Sequence, residues 1–225
     1  MDIFEAVDSR ISCRWFHDKP VDPAIVKDLI VKAQRAASGG NLQSWFVYAL
    51  TGEPLKEFKR IVAERIARDD PRHCKTEYPV YPEPMFGVYD ERREHHGVQL
   101  YGSLGIDRKD PVARLGQFKR NFEFFNAPVA LFITIDRRLG PGQWADLGGY
   151  IHALAFLARG YGLDTCPQEA WARLYDTVGE FIKIPPEQML FCGMAIGYGD
   201  RKHKANDFRS PRAELSEFCR FYGFD

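Results

Sequence analysis

The chain has 225 residues, of which 45% are hydrophobic and 28% are charged, a balance typical of a folded protein rather than of a disordered one. Lysine plus arginine and aspartate plus glutamate are equal at 31 each, which argues against a general attraction to nucleic acids or anionic lipids. No Ser/Gly-rich linker divides the sequence, so we expect a single domain over residues 1–225.

The sequence carries no sign of a membrane segment, a signal peptide or a metal site. No apolar run approaches the about 20 residues of a membrane span, and Met1–Glu5 is not a basic signal region, so the cytoplasm is expected. The five cysteines are scattered without a C-x-x-C pair, which predicts reduced thiols. The six histidines include one adjacent pair, His95–His96, and no H-E-x-x-H motif, so no bound metal is expected.

Helices and strands are predicted in turn along the first third of the chain. A short helix is expected over residues 2–9, and a second begins at Pro23, behind the N-cap residue Asp22. The β-rich run 46–50 predicts a strand, and the apolar spacing in residues 55–66 predicts another helix.

Residues 71–110 differ in character from the rest of the chain. They contain four of the fourteen prolines, several tyrosines and a charged cluster at 90–94. Such a long irregular insertion in a compact domain is usually a lid, a binding excursion or a partner contact, although it can also be a solvated segment that only packs.

The second half of the chain predicts a sheet with helices around it. Helices are expected over residues 112–125, 143–162 and 177–184, and the widely apolar second one belongs in a core or a subunit interface. The near-continuous apolar run 129–135 predicts a central strand covered on both faces, and residues 189–196 predict the last strand. The order indicates an α+β fold with a mixed or mostly antiparallel sheet, without the βαβ unit of dinucleotide-binding folds.

Two polar patches near the chain ends contain paired cations. In the first, Arg10 and Arg14 flank the hydroxyl of Ser12 and can clamp a phosphate, or can instead cap the end of the first helix. In the last, Arg209 and Arg212 follow the final strand, either as a second cationic pair or as part of an exposed tail.

Two further polar patches occupy predicted connections. Ser38, Asn41 and Gln43 crowd hydroxyl and amide groups into a glycine-containing turn, which suits a planar ligand with many acceptors but also ordinary turn chemistry. Residues 165–172 combine a proline with small and polar residues, which suits a backbone that offers N–H groups to a ligand or a plain helix-to-helix connection.

The four patches together resemble the FMN-dependent nitroreductase family. Residues 10–16 match its R-x-S-x-R/K-x-F motif, and residues 37–45 match P-S-x-x-N-x-Q-P-W except that Ala37 and Ser44 replace the prolines. A proline-containing loop at 167–170 and basic residues near the C-terminus follow in the family's order, with Ala170 where many members have glycine.

The resemblance implies a nitroreductase-like α+β fold, a largely antiparallel mixed sheet flanked by helices, and a homodimer with a helix-rich interface and two FMN sites. The four arginines would hold the phosphate and ribityl chain, a partner subunit would contribute the Ser38 turn, and backbone N–H groups near Glu169 and Ala170 would point at flavin N5. The implied FMN contacts are Arg10, Ile11, Ser12, Arg14, Ser38, Asn41, Gln43, Asn121, Pro167, Gln168, Glu169, Ala170, Arg209 and Arg212.

The activity that the resemblance implies is a ping-pong transfer of hydride from NADH or NADPH, through FMN, to a small aromatic acceptor such as a nitroaromatic or a quinone. The cofactor performs the redox chemistry, so no catalytic side chain is expected. Phe122, Phe124 and Phe125 are predicted to bind substrate together with residues 78–101, although aromatic side chains also suit a core or an interface.

Other functions remain compatible with the sequence. Relatives of the same architecture use flavin for reductive dehalogenation or for fragmentation of the flavin itself. A non-catalytic dimer that binds flavin, or that only binds a partner, is a second alternative. Nucleic-acid binding has little support because the cations are not gathered into a basic stripe.

Overall fold

An antiparallel sheet of four strands lies between two layers of helices. The strands are β1 (Phe46–Thr51), β2 (Val129–Asp136), β3 (Asp164–Gln168) and β4 (Gln188–Gly197). Their order is β1-β2-β4-β3 in the computed structural model, which describes residues 1–224. All three strand pairings are antiparallel, and Ser12 adds one isolated parallel bridge to Thr165 on the free edge of β3, so the sheet is largely antiparallel, as predicted.

The helices lie close to their predicted positions along most of the chain. Asp22 accepts a hydrogen bond from the Ala24 N–H and Pro23 is the first residue of its helix, as the sequence indicates. None of the helices within residues 1–224 combines the length and apolar character needed to cross a membrane. The helices are α1 (Ile3–Ser9), α2 (Pro23–Ala33), α3 (Gly52–Arg68), α4 (Gly87–Ser103), α5 (Pro111–Lys119), α6 (Pro141–Gly160), α7 (Tyr175–Ile182) and α8 (Leu215–Phe218).

Strand β2 divides the hydrophobic core into two parts. Leu131 and Ile133 face α2 and α6, whereas Ala130 and Phe132 face an aromatic cluster beside α3. This alternation follows from the two-residue period of a strand. Because β2 is buried between β1 and β4 and covered on both faces, its residues through Ile135 are nearly all apolar, as predicted for a central strand.

The structure differs from the sequence prediction in two segments. Residues 71–110 are not irregular throughout, since they contain the 17-residue helix α4. Residues 165–172 are not a helix-to-helix connection, because they form the edge strand β3 and then enter a 3-10 helix over Glu169–Leu174. The hydrogen bonds to β4 that define this edge strand are long-range, and local sequence does not reveal them.

The helix predicted over residues 112–125 ends at Lys119 and continues as a 3-10 helix over Arg120–Asn126. Phe124 and Phe125 adopt positive φ angles of 52°, a turn that directs both rings inward. Phe122, Phe124 and Phe125 are at most 1% exposed, and Phe124 stacks on Trp171 at 4.6 Å. The three rings thus pack inside the aromatic core, the alternative that their sequence pattern also allowed, and they offer no exposed surface to a substrate in this chain.

Gly193→Ala is expected to destabilise the fold by about 3 kcal/mol, because the space beside Gly193 is filled by a buried indole. An added Cβ would lie 2.2 Å from Cδ1 and 2.7 Å from Nε1 of Trp171, which Phe124 and Phe132 hold in place. Chemical denaturation measures the loss. Gly179→Ala is the control, since a Cβ there meets nothing within 4 Å. Equal stability of the two variants would contradict the packing described for β4.

Candidate functional site

The first and last polar patches meet in a cavity of about 440 Å³. The N-terminal segment contributes Arg10, Ile11, Ser12 and Arg14, and the C-terminal segment contributes Phe208, Arg209, Ser210 and Arg212. Helices α4 and α6 complete the wall with His96, His152 and Phe156. Two cationic pairs separated by almost the whole chain therefore face one space.

The cavity concentrates positive charge. Arg10, Arg14, Arg209 and Arg212 line it, and none of them forms a salt bridge with an acidic side chain within residues 1–224. The pKa of the Arg10 guanidinium is lowered, first by burial and then by the positive charges of Arg212 and Arg209. Unneutralised like charges held together in this way are suited to an anion with several acceptor oxygens.

A buried carboxylate, Asp164, organises the two arginines that hold the N-terminal segment. Asp164 is 3% exposed and accepts hydrogen bonds from Arg159 Nη1 at 3.0 Å and from Arg201 Nε at 3.0 Å. The same two arginines reach Ser9, where Arg159 Nε donates to Oγ at 3.1 Å and Arg201 Nη1 donates to the carbonyl oxygen at 3.0 Å. This ion cluster anchors the residue directly before Arg10.

Asn206 connects the two segments that supply the arginines. Its side-chain oxygen accepts from the Arg14 N–H at 2.6 Å, and its amide nitrogen donates to the Trp15 carbonyl at 2.9 Å and the Asp200 carbonyl at 2.8 Å. Asn206 is buried, so these bonds are shielded from water. The relative position of the two cationic pairs is therefore determined by direct hydrogen bonds.

The third patch lies beside the first. The Cys13 N–H donates to the Thr165 carbonyl at 2.9 Å, which aligns β3 with the N-terminal segment. The buried side chain of Gln168 donates to the Asn121 carbonyl at 2.7 Å, so these two predicted ligand contacts are bonded to each other. Pro167 is half-buried in the strand.

Residues 169 and 170 stand at the start of the following 3-10 helix, with Glu169 exposed and Ala170 half-buried. Partial burial of the carboxyl group raises the pKa of Glu169. The segment 71–110 contacts this 3-10 helix directly, because the Glu77 N–H donates to the Ala172 carbonyl at 2.8 Å. Burial and then the negative charge of Glu169 raise the pKa of Tyr81.

The second patch lies apart from the cavity. Its turn is fastened to α6, since the Gly39 N–H donates to Asp146 Oδ2 at 3.0 Å, and Ser38 Oγ accepts from the Gln43 N–H at 3.1 Å. Gly40 has φ 59°, a conformation for which glycine is favoured. Asn41 and Gln43 are exposed and do not line the cavity. One chain therefore brings together three of the four patches.

Sequence reasoning missed His96 and Ser210, whose Nδ1 and Oγ atoms lie 3.0 Å apart in the cavity wall. The sequence contains a signal, the His95–His96 pair, but a histidine pair by itself does not indicate an anion site. No group of three His, Cys, Asp or Glu side chains in the described part of the chain is arranged to hold a metal ion. The cavity's donors are instead guanidinium, hydroxyl and imidazole groups, a set that fits a phosphate monoester.

Comparisons with known proteins agree with this chemistry. The family model described as Nitroreductase family matches residues 7–198. The chain is 36% identical to a 4-nitrobenzoate reductase of Pseudomonas putida over 100% of this chain and 97% of that protein.

Two solved structures superpose on the whole fold. The FMN- and NADPH-dependent nitroreductase NfnB from sphigopyxis sp. strain HMH has a TM-score of 0.95 and 40% identity, with 100% of both chains covered. The FMN-dependent nitroreductase NfnB from Mycobacterium smegmatis, in complex with NADPH, has a TM-score of 0.91 and 26% identity, with 97% of both chains covered. The expected α+β fold is confirmed.

Proposed function

Because the chain belongs to the nitroreductase family, we propose that it is an FMN-dependent NAD(P)H oxidoreductase that reduces nitroaromatic or quinone-like acceptors. The observation that carries this proposal is the cavity in which four arginines, none of them paired with an acidic side chain within residues 1–224, meet the hydroxyl groups of Ser12 and Ser210. A phosphate monoester on an otherwise uncharged, partly apolar molecule suits this wall, and FMN is such a molecule.

The arginines bind the FMN phosphate in this proposal. Arg10 and Arg14 reach it from the N-terminal segment, and Arg209 and Arg212 reach it from the C-terminal segment through charge-assisted hydrogen bonds. Ser12 adds a hydroxyl donor, and Ile11 offers an apolar contact in the same wall. When bound, FMN supplies the exchange of hydride at its N5 atom.

The third patch orients the reactive end of the site. The Gln168 amide donates to the Asn121 carbonyl, and this hydrogen bond fixes the end of β3 and the backbone that follows Pro167. The N–H groups near Glu169 and Ala170 are then available to hydrogen-bond the flavin ring.

A homodimer completes the site in this proposal. Ser38, Asn41 and Gln43 lie outside the arginine cavity of their own chain, and in this proposal they contact the flavin bound to a second copy. Helix α1 supports association, because Phe4 is 78% exposed beside Val7, an apolar residue of the cavity wall. Exposed apolar side chains grouped in this way mark protein contacts.

The acceptor and the electron donor reach the flavin from the side of residues 71–110. With Phe122, Phe124 and Phe125 in the core, Tyr81 is the better candidate for aromatic contact, since it is 53% exposed and lies within electrostatic influence of Glu169. Both NfnB structures come from FMN-dependent enzymes, one described as NADPH-dependent and the other bound to NADPH, so NADPH is the donor we propose.

The purified protein is expected to show a flavin spectrum of about one FMN per chain. NADPH added without oxygen should bleach that spectrum, and 4-nitrobenzoate should restore it. The same experiment is repeated with NADH as the donor and with a quinone as the acceptor. A colourless protein that takes up no added FMN would contradict the proposal and favour a partner-binding protein, while a flavin that NAD(P)H fails to bleach would favour a non-catalytic flavoprotein.

A further inference from the structure

We infer that His96 is an additional ligand of the phosphate group in the arginine cavity, an inference that rests on the proposed function. His96 lies on α4, inside the segment 71–110, and lines the cavity together with residues from both chain ends. Neither the four sequence patches nor the comparisons assign it a role.

The geometry leaves one ring nitrogen of His96 available to a ligand. Nδ1 lies 3.0 Å from Ser210 Oγ, and the ring packs against Phe208 with a centroid distance of 5.6 Å. Nε2 has no hydrogen-bond partner within residues 1–224. When the Ser210 hydroxyl donates to Nδ1, the proton of the neutral ring is on Nε2, which is the donor that a phosphate oxygen requires.

The surrounding charges favour an anion beside this ring. Burial, and then the positive charges of Arg14 and Arg212, lower the pKa of His96. Arg10, Arg209, Asp8 and His152 are the other titratable residues of the cavity wall. The groove on the other side of His96 is lined by Glu91, Arg92, His95 and Glu217, and Arg92 pairs with Glu217 there at 3.0 Å. Within the cavity wall four arginines face one carboxylate, Asp8, and the lowered pKa keeps the imidazole neutral in the empty cavity at neutral pH.

Binding of a phosphate dianion would reduce the excess of positive charge around His96. The anion neutralises the arginine charges and stabilises a proton on the imidazole, so the pKa of His96 rises in the complex. Phosphate binding is then coupled to proton uptake by His96, and the histidine contributes more to affinity at low pH than at high pH. A packing role for the ring would produce neither this pH dependence nor a dependence on the phosphate.

The test is a titration of the flavin-free full-length protein with FMN and with riboflavin, which lacks the phosphate. Wild type, His96→Gln and the neighbouring control His95→Gln are compared by flavin fluorescence at about pH 6 and about pH 8. We expect His96→Gln to weaken FMN binding about tenfold at the lower pH and about threefold at the higher pH, with riboflavin binding unchanged. His95→Gln should match the wild type, because His95 lines only the neighbouring groove.

Other results would overturn the inference in distinguishable ways. Unchanged FMN binding by His96→Gln, or an equal loss for FMN and riboflavin, would exclude the phosphate contact while leaving the proposed function intact. NADPH carries a phosphate monoester as well, and a His96-dependent preference for NADPH over NADH in the flavin-free protein would assign the histidine to the donor instead. A wild type that binds neither flavin would refute the proposed function and this inference together.

Discussion

Arg10→Ala is expected to weaken FMN binding about 100-fold and to leave the flavin-free protein at least as stable as the wild type. The loss of affinity follows from removing a half-buried guanidinium that faces the phosphate from the N-terminal segment. Charge-assisted hydrogen bonds to phosphate are about twice as strong as neutral ones. In the proposed complex Arg10 would make them with no acidic partner within residues 1–224 to compete.

The unchanged or increased stability of the flavin-free Arg10→Ala variant has a separate cause. Burial and the charges of Arg212 and Arg209 lower the pKa of Arg10, which means that keeping it protonated opposes folding of the empty protein. The guanidinium stays charged at neutral pH, so this cost is present throughout the ordinary pH range. Alanine at position 10 removes this unfavourable charge and, with it, the guanidinium group that is proposed to bind the phosphate.

Fluorescence titration with FMN and thermal unfolding of the flavin-free chain measure the two effects. Arg60→Ala is the matched control, because Arg60 lies on the exposed surface of α3 and, among residues 1–224, pairs only with residues of that helix. Its FMN affinity should equal that of the wild type. If Arg10→Ala bound FMN normally, the cavity would not be the phosphate site.

Asp164→Asn is expected to destabilise the protein by about 3–5 kcal/mol, the usual cost of removing one partner from a buried charge cluster. Asp164 is 3% exposed and is the only acidic partner that Arg159 and Arg201 have within residues 1–224. The substitution leaves two neighbouring guanidinium groups without a counter-charge, one of them largely buried.

Urea denaturation compares this variant with Glu53→Gln, which breaks an exposed pair between Glu53 and Lys56. The control should lose less than about 1 kcal/mol, as surface pairs usually do. Asp164→Asn should also bind FMN more weakly under conditions in which it is folded, because Arg159 and Arg201 hold Ser9 next to Arg10. A loss of stability no greater than that of the control would mean that the cluster does not hold the fold.

Short-range sequence patterns correctly predicted most helices and strands. The N-cap Asp22 and the following Pro23 predicted the start of α2, and the near-continuous apolar run of β2 predicted a central strand covered on both faces. Helix caps depend on adjacent residues, and strand burial depends on how apolar side chains recur along the chain, so the local sequence is sufficient to predict both. The family motifs likewise indicated Arg10 and Arg14, since their spacing is visible along the chain.

The sequence by itself thus determined the local elements, the sheet's central strand and the cationic pairs with their family resemblance. The tertiary structure decided which of them meet. It brought Arg209 and Arg212 to Arg10, carried His96 into the same cavity on α4, and enclosed Phe124 in the core. These outcomes depend on packing between residues far apart in the chain, and an aromatic residue has the same local pattern whether its ring faces a core or a ligand.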